Sequence, residues 1–367
     1  MQAQEPADPF GAAPAVGHDA GNALPPATPT TRLLPVTFDG DARSYFGVWI
    51  MNVLLTIVTL GVYSAWAKVR TNRWFYGHTA IDGHNFEYHA TGMQIFKGRA
   101  IAVAIIVAFS IVGAFAPMLQ LLFMLAILFV MPWAINAGLR FTARMTSWRN
   151  VRFDFQGNYW RALLLFMLMP IAVMLTLGAL APVASRLVAR YVAGGHSYGG
   201  AAFRSEPRLR ALYAALGRTL LVVIALLIAL FVLFALLGML FGAGFSGFHG
   251  LILGFYGAML VGGAYYVGSV RNEVFNTMTI DGGHRTHSSL APLRYTWIVV
   301  SGLLATAFTL GLAYPWAAVR RHRYTAQNTQ LEAAPGLDDF VSTQQRAPSS
   351  FGGEFSELEG FGDVAAF

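Results

Sequence analysis

Residues 219–270 read TLLVVIALLIALFVLFALLGMLFGAGFSGFHGLILGFYGAMLVGGAYYVGSV, a stretch without a single charge. Burying a charge in hydrocarbon is expensive, and a helix needs about 20 apolar residues to span a bilayer. This run is long enough to cross twice. A second of the same kind extends from Ala100 to Leu139. Three shorter uncharged runs, Ser44 to Ala67, Ala162 to Ser185 and Tyr295 to Val319, are each about one crossing long. Composition agrees: 56% of residues are hydrophobic and 12% charged, about half the charge of a soluble domain. An integral membrane protein is the class these runs define.

The three short runs share letters. Thr59-Leu60-Gly61 is followed by Trp66, Val69, Arg70 and Arg73, and Thr309-Leu310-Gly311 by Trp316, Val319, Arg320 and Arg323, with identical spacing. A weaker copy is Thr176-Leu177-Gly178 with Val183 and Arg190. A second element begins at the arginine: Arg73, Thr79, Gly83, Phe86, then Arg140, Thr146, Phe153, then Arg190, Gly200, Phe203, with starts also at Arg271 and Arg323. Phe38-x-Gly40 returns as Phe155-x-Gly157. A fixed internal period marks a repeat architecture, and the units run near 38–154, 155–287 and, truncated, 288–331. Trp74–Ile81 and His84–His89 flank Asp82-Gly83, a pair suited to a tight turn, so each second element reads as a β-hairpin just outside the membrane.

Two topologies fit. Seven plain crossings would invert the first two units relative to each other, as in many transporters. Yet every hairpin-bearing segment is basic, whereas the region around Pro117–Gln120 has no charge, and positive residues gather on the cytoplasmic side. Four crossings satisfy that rule if the three short runs are re-entrant helices broken at Gly61, Gly178 and Gly311, near Pro170, Pro182 and Pro315. The fold expected is an all-α polytopic membrane protein with internal repeats, carrying small β-hairpins at its cytoplasmic face.

Residues 1–31 lack an apolar core and read as a disordered tail rather than a secretory signal. The membrane domain spans 32–331. Residues 332–367, with Glu332, Asp338, Asp339, Glu354, Glu357, Glu359 and Asp363 among Gly and Ser, read as an acidic disordered tail.

The chemistry on offer is sparse. The chain has no cysteine, which excludes disulfides and thiolate sites. No carboxylate lies within the five uncharged runs, so a proton relay of buried acids has no support. Asn52, Thr56, Thr59, Asn136, Thr176, Ser301 and Thr309 suit hydrogen bonds between helices, and Gly238 with Gly242, and Gly250 with Gly254, have the spacing for close helix contact. His78, His84 and His89, or His284 and His287, lack acidic partners at metal-ligand spacing, so no metal or cofactor is expected. Trp66, Trp133 and Trp316 fit an interfacial aromatic belt. Arg70, Arg73, Arg140, Arg190, Arg320 and Arg323 are placed to meet anionic lipid head groups. The net charge of +7 flanks apolar runs rather than forming a soluble basic domain, so the partner is the bilayer and not nucleic acid.

The run from Asn52 through Trp66 and Arg70 to Phe75-Tyr76-Gly77-His78-Thr79, Asp82-Gly83 and Phe86-Glu87-Tyr88 resembles the YjgN family of bacterial inner-membrane proteins, also called domain of unknown function 898. The resemblance continues through Gly311–Ala317 to Arg323-Tyr324 and covers about 35–331. Gly195-His196 departs from the family's usual Asn-Thr. The resemblance implies a multi-pass protein of the bacterial inner membrane and brings no catalytic residue or substrate. Three functions remain open: a passage or carrier for a small solute or lipid; a structural or envelope-maintenance protein whose basic hairpins hold a partner or anionic lipid; and, resting only on the histidines, a lipid-directed enzyme.

Overall fold

A computed structural model describes residues 31–241 and 248–346. Among the described residues four helices are long and apolar enough to cross a membrane: α3 (Gly92–Phe115), α4 (Pro117–Arg144), α8 (Leu209–Phe241) and α9 (Phe248–Asn276). They come as two pairs, α3 with α4 and α8 with α9, matching the two long uncharged runs. Gly250 and Gly254 lie against Phe234 and Leu230 of α8, the close helix contact their spacing allows. Gly242 lies outside the described residues.

The three short runs each fold as a helical hairpin. They pair α1 (Ala42–Val58) with α2 (Ser64–Gly77), α5 (Tyr159–Ala162) and α6 (Met169–Leu175) with α7 (Ala181–Gly195), and α10 (Pro292–Phe308) with α11 (Tyr314–Gln327). A π-helical segment, Leu163–Leu168, joins α5 to α6. The Thr-Leu-Gly triplet makes each bend. Leu60, Leu177 and Leu310 have φ near +50°, and Gly61, Gly178 and Gly311 lie between +89° and +98°. The Thr59 hydroxyl accepts the Tyr63 N–H at 2.9 Å, and Thr309 accepts that of Ala313 at the same distance, so the threonine satisfies a donor at the start of the following helix. Pro182 and Pro315 occupy first turns, where a missing N–H costs nothing.

The strands correct the expected all-α fold with small separate hairpins. β2 (Thr79–Ile81) pairs with β3 (His84–Tyr88), β4 (Thr146–Trp148) with β5 (Val151–Phe155), β6 (His196–Tyr198) with β7 (Ala201–Ser205), and β8 (Met278–Ile280) with β9 (His284–Ser288). The hairpins join edge to edge. With β1 (Arg32–Phe38) and β10 (Thr329–Ala333) they form one closed antiparallel barrel of ten strands. β1 closes it, pairing Arg32–Pro35 with β10 and Val36–Phe38 with β2. Closure removes the exposed strand edges that isolated hairpins would present. The first hairpin is also shorter than its apolar pattern suggests: Trp74–Gly77 belong to α2, and only Thr79 onward is strand.

Connectivity fixes the layout. Every helical hairpin leaves a strand and returns to the next, so all ten strands share one end of the molecule and the apolar bends lie away from them. Neighbouring hairpins pack in turn, α2 on α3, α4 on α5, α7 on α8, α9 on α10 and α11 back on α1. The helical ring therefore closes as the barrel does. The acidic C-terminal segment is not solvated from Glu332 onward as expected: β10 continues to Ala333, and after Gly336 (φ +81°) the helix α12 (Leu337–Arg346) covers the barrel. Its Leu337 and Val341 are buried in one cluster with Leu34, Trp148, Tyr198 and Leu331. Residues 347–367 and 1–30 lie outside the described residues.

Candidate functional site

The barrel lumen forms a partly open cavity of about 380 Å³. Its wall follows from the second repeated element, because Phe86, Phe153 and Phe203 occupy the same third position of β3, β5 and β7 and all face the lumen. Their ring centroids are 6.4 and 6.2 Å apart in succession, within the range of favourable aromatic contact. In β9 that position is Thr286; in the longer β1 the residue two before the strand end, where the others have their phenylalanine, is Val36. Trp148, Tyr198, Ile280 and, from α12, Phe340 extend the apolar lining.

Among the described residues Arg271 is the charged side chain that lines this lumen. Its Nη1 donates to Ser288 Oγ at 2.8 Å and its Nη2 to Thr329 Oγ1 at 2.7 Å, while the guanidinium lies 4.2 Å over the Phe275 ring. Ser288 holds the strand-end position occupied by Tyr88 in β3 and Phe155 in β5. β7 also ends in a serine, Ser205, but its arginine, Arg190, pairs with Glu206 outside the lumen; at Ser288 the hydroxyl instead accepts from Arg271.

Two histidines face the same space, and both are neutral. Burial, reinforced by Arg321, pushes His322 down to about 4. Thr79 Oγ1 donates its own proton to the Phe75 carbonyl and so accepts from His322 Nε2 at 2.9 Å. Burial likewise lowers His284. Its Nδ1 accepts the Ala334 N–H at 3.0 Å, which leaves the proton on Nε2, buried without a polar partner and beside the Phe340 ring. The lid is held at its rim by an Arg149–Asp338 ion pair of 2.7 Å, by Gln344 accepting the Gly200 N–H and by Gln345 donating to the Arg149 carbonyl.

The arginines read from the sequence as head-group contacts divide into two kinds. Arg73 donates to the carbonyls of Tyr88 and Ala90, Arg140 to that of Phe155, and Arg323 to that of Gly40. Each thereby ties a helix to the end of a strand, and Gly40 and Gly157 leave space for the rings of Phe38 and Phe155, which accounts for the Phe-x-Gly pattern. Arg190 pairs with Glu206 at 3.0 Å. Arg70 and Arg320 stay nearer the surface, the first on the Tyr63 hydroxyl at 3.1 Å and the second on Ser301 at 2.8 Å beside the Trp316 ring. Trp66 packs between Tyr63 and Phe96 and against Gly92.

Polar residues within the helices bond across or between hairpins: Asn52 Nδ2 donates to the Ala67 carbonyl within one hairpin, and Tyr191 of α7 donates to Asn136 Oδ1 of α4 at 2.5 Å. His78 bonds the Trp74 carbonyl and His89 the Ser147 hydroxyl. Among the described residues no three histidines or acids meet as a metal site. Neither the lumen nor Arg271 as its cation was singled out from sequence. The repeated phenylalanine was the available signal, since a residue at one strand position in successive hairpins must face one side of a closed sheet.

Helical hairpins closed into a ring, two of them membrane-crossing pairs, with a β-barrel at their common end, define a polytopic membrane protein. The family model for bacterial proteins of unknown function (DUF898) matches residues 33–358, and the chain belongs to that family. The chain is 27% identical to the inner membrane protein YjgN of Salmonella typhimurium, over 85% of this chain and 91% of that protein. It is 34% identical to YjgN of Escherichia coli K12 over 37% of this chain and 35% of that protein. No solved structure matches. The chain is thus a multi-pass inner-membrane protein, and its surroundings are the lipid bilayer.

Proposed function

We propose that the protein is a non-enzymatic carrier or passage in which the barrel lumen holds a small, largely apolar molecule exchanged with the adjoining bilayer. The supporting observation is the aromatic-walled cavity of about 380 Å³, a size typical of small-molecule sites, carried directly on membrane-crossing helices. Basic residues throughout the strand-bearing end support a cytoplasmic position for it. The three short hairpins then enter and leave on the cytoplasmic side. Their helices of up to 17 residues reach only about 25 Å, less than the roughly 30 Å core.

The test is saturable binding of a neutral environment-sensitive fluorophore to the full chain in phosphatidylcholine nanodiscs. Thr286→Phe places in β9 the side chain its counterparts already carry, and it should abolish binding by filling the lumen. Binding no greater than to empty nanodiscs, or untouched by Thr286→Phe, would overturn the proposal.

A second reading is that the basic rim holds anionic lipid. Arg294, Arg320 and Trp316 line a groove of about 240 Å³ between α10 and α11, and each basic residue near an anionic surface contributes about 1 kcal/mol. Adding phosphatidylglycerol to the nanodiscs should raise the unfolding temperature of the wild type and not of Arg294→Gln/Arg320→Gln. An equal rise in both would remove this reading.

A further inference from the structure

We infer that the molecule held in the barrel is a monoanionic amphiphile, an acid on an apolar body, whose head group is bound by Arg271; this rests on the carrier reading above. A guanidinium lining an apolar cavity is costly unless an anion offsets it. Among the described residues no carboxylate pairs with Arg271; both its side-chain partners are hydroxyls. Ser288 donates its proton to Asn272 Oδ1 at 2.7 Å, and Thr329 donates to the Thr325 carbonyl at 2.7 Å. Both hydroxyls can therefore only accept from Arg271, which pins the guanidinium and leaves its other N–H groups for a ligand.

The equivalent arginines are used differently. Arg73, Arg140 and Arg323 are spent on backbone carbonyls and Arg190 on Glu206, and none of them lines the lumen. One repeat position alone has thus been turned from holding the scaffold to facing the cavity. Among the described residues no acidic side chain lines the cavity to repel an anion, and Asp338 on the lid is engaged by Arg149 at the rim. With His284 and His322 neutral, the site offers a single positive charge. A dianion would leave one charge uncompensated among phenylalanines, so a carboxylate or a phosphodiester suits it better than a phosphate monoester. The body meets Phe86, Phe153 and Phe203, where an apolar chain or ring gains by leaving water.

The experiment compares cis-parinaric acid with its methyl ester, titrated into the full chain in phosphatidylcholine nanodiscs, with empty nanodiscs subtracted. The acid should bind at least tenfold more tightly than the ester. Arg271→Gln should remove that preference while ester binding persists, and Arg271→Lys should retain most of it. Because Arg271 also braces two strands, Ser288→Ala/Thr329→Val provides a second variant that keeps the charge but frees its orientation, and it should weaken the acid several-fold and leave the ester unchanged. Equal affinity for acid and ester, or a preference that survives Arg271→Gln, would overturn the head-group assignment while the lumen reading stands. Binding of neither probe, or binding of both that Thr286→Phe does not reduce, would remove the carrier reading itself.

Discussion

Arg323 on α11 donates to the carbonyl of Gly40 at 2.8 Å, across 283 residues of chain. It makes the bond that Arg140 makes to Phe155 and Arg73 to Tyr88 and Ala90 within single hairpins. The fifth hairpin of the barrel is thus split between the ends of the domain, β10 from one and β1 from the other, and Arg323 treats the pair as a continuous unit. Replacing Arg323 with Ala should lower stability by about 1.5 kcal/mol, the lower end for a hydrogen bond to a charged group. Thermal unfolding in detergent should show a lower midpoint, whereas Arg70→Ala, whose bond stays within one helix pair, should shift it little.

The absence of cysteine permits a clean labelling experiment on topology. Single cysteines at Gly77, Asn150, Gly199 and Gly283 all lie at the barrel end and should all be shielded from an impermeant reagent in intact cells. Reaction at Gly199 and Gly283 alone would mean inverted units and seven crossings.

The bends of the short hairpins give an independent depth gauge. Leu60, Leu177 and Leu310 are 94–97% exposed while holding a left-handed backbone that disfavours a side chain by about 1 kcal/mol. A strained and fully exposed leucine at every tip is expected where the tip faces hydrocarbon. Leu310→Trp should therefore fluoresce at short wavelength and be quenched by brominated acyl chains, and Leu310→Asp should reduce membrane-inserted protein, since a charge near mid-bilayer costs roughly 3 kcal/mol.

His322 makes stability depend on pH. Its folded value of about 4 lies below the unfolded 6.5, so the folded form favours the neutral ring. The unfolded chain then binds more protons between these values, and stability falls as pH drops from 6.5 towards 4, by about 3 kcal/mol at most. His322→Gln keeps a donor for Thr79 and should flatten the chemical-denaturation midpoint across this window.

Helix α12 covers the lumen through Phe340, Leu337 and Val341. Phe340→Ala, which removes the ring packed on His284 and Tyr198, should cost about 3 kcal/mol of lid packing if the site cannot collapse. Binding of an apolar dye should rise over wild type, and Asp338→Asn, which breaks the rim ion pair with Arg149, should produce a smaller rise in the same direction.

Membrane residence, the two crossing pairs and the hairpin turn at Asp82-Gly83 follow from local chemistry. A run from Thr219 to Val270 without charge has few other solutions, and Asp82 and Gly83 adopt the positive φ such a pair tolerates. Periodicities of this kind are carried by neighbours in sequence and need no knowledge of what lies across the fold. The same local logic marked the Thr-Leu-Gly triplets, whose leucine and glycine both take the left-handed region where the chain reverses.

Barrel closure was decided elsewhere. Apart from the seven-residue β1, the strands have three to five residues, too short to announce a closed sheet, and β1 finds its partners in Ile81 on one side and Leu331 on the other. Helix α12 was masked by the acidic composition around Asp338 and Asp339, although its spaced Leu337, Phe340 and Val341 form the face that the barrel mouth covers. Arg271 looked like one more basic residue of a repeat. Its inward turn is held by two hydroxyls, Ser288 at a strand end and Thr329, 58 positions away. Sequence alone determined which segments leave water for lipid, because that choice is made segment by segment through transfer free energy. The tertiary structure decided where one partly buried charge faces a largely apolar space, because that depends on strands paired across the whole chain.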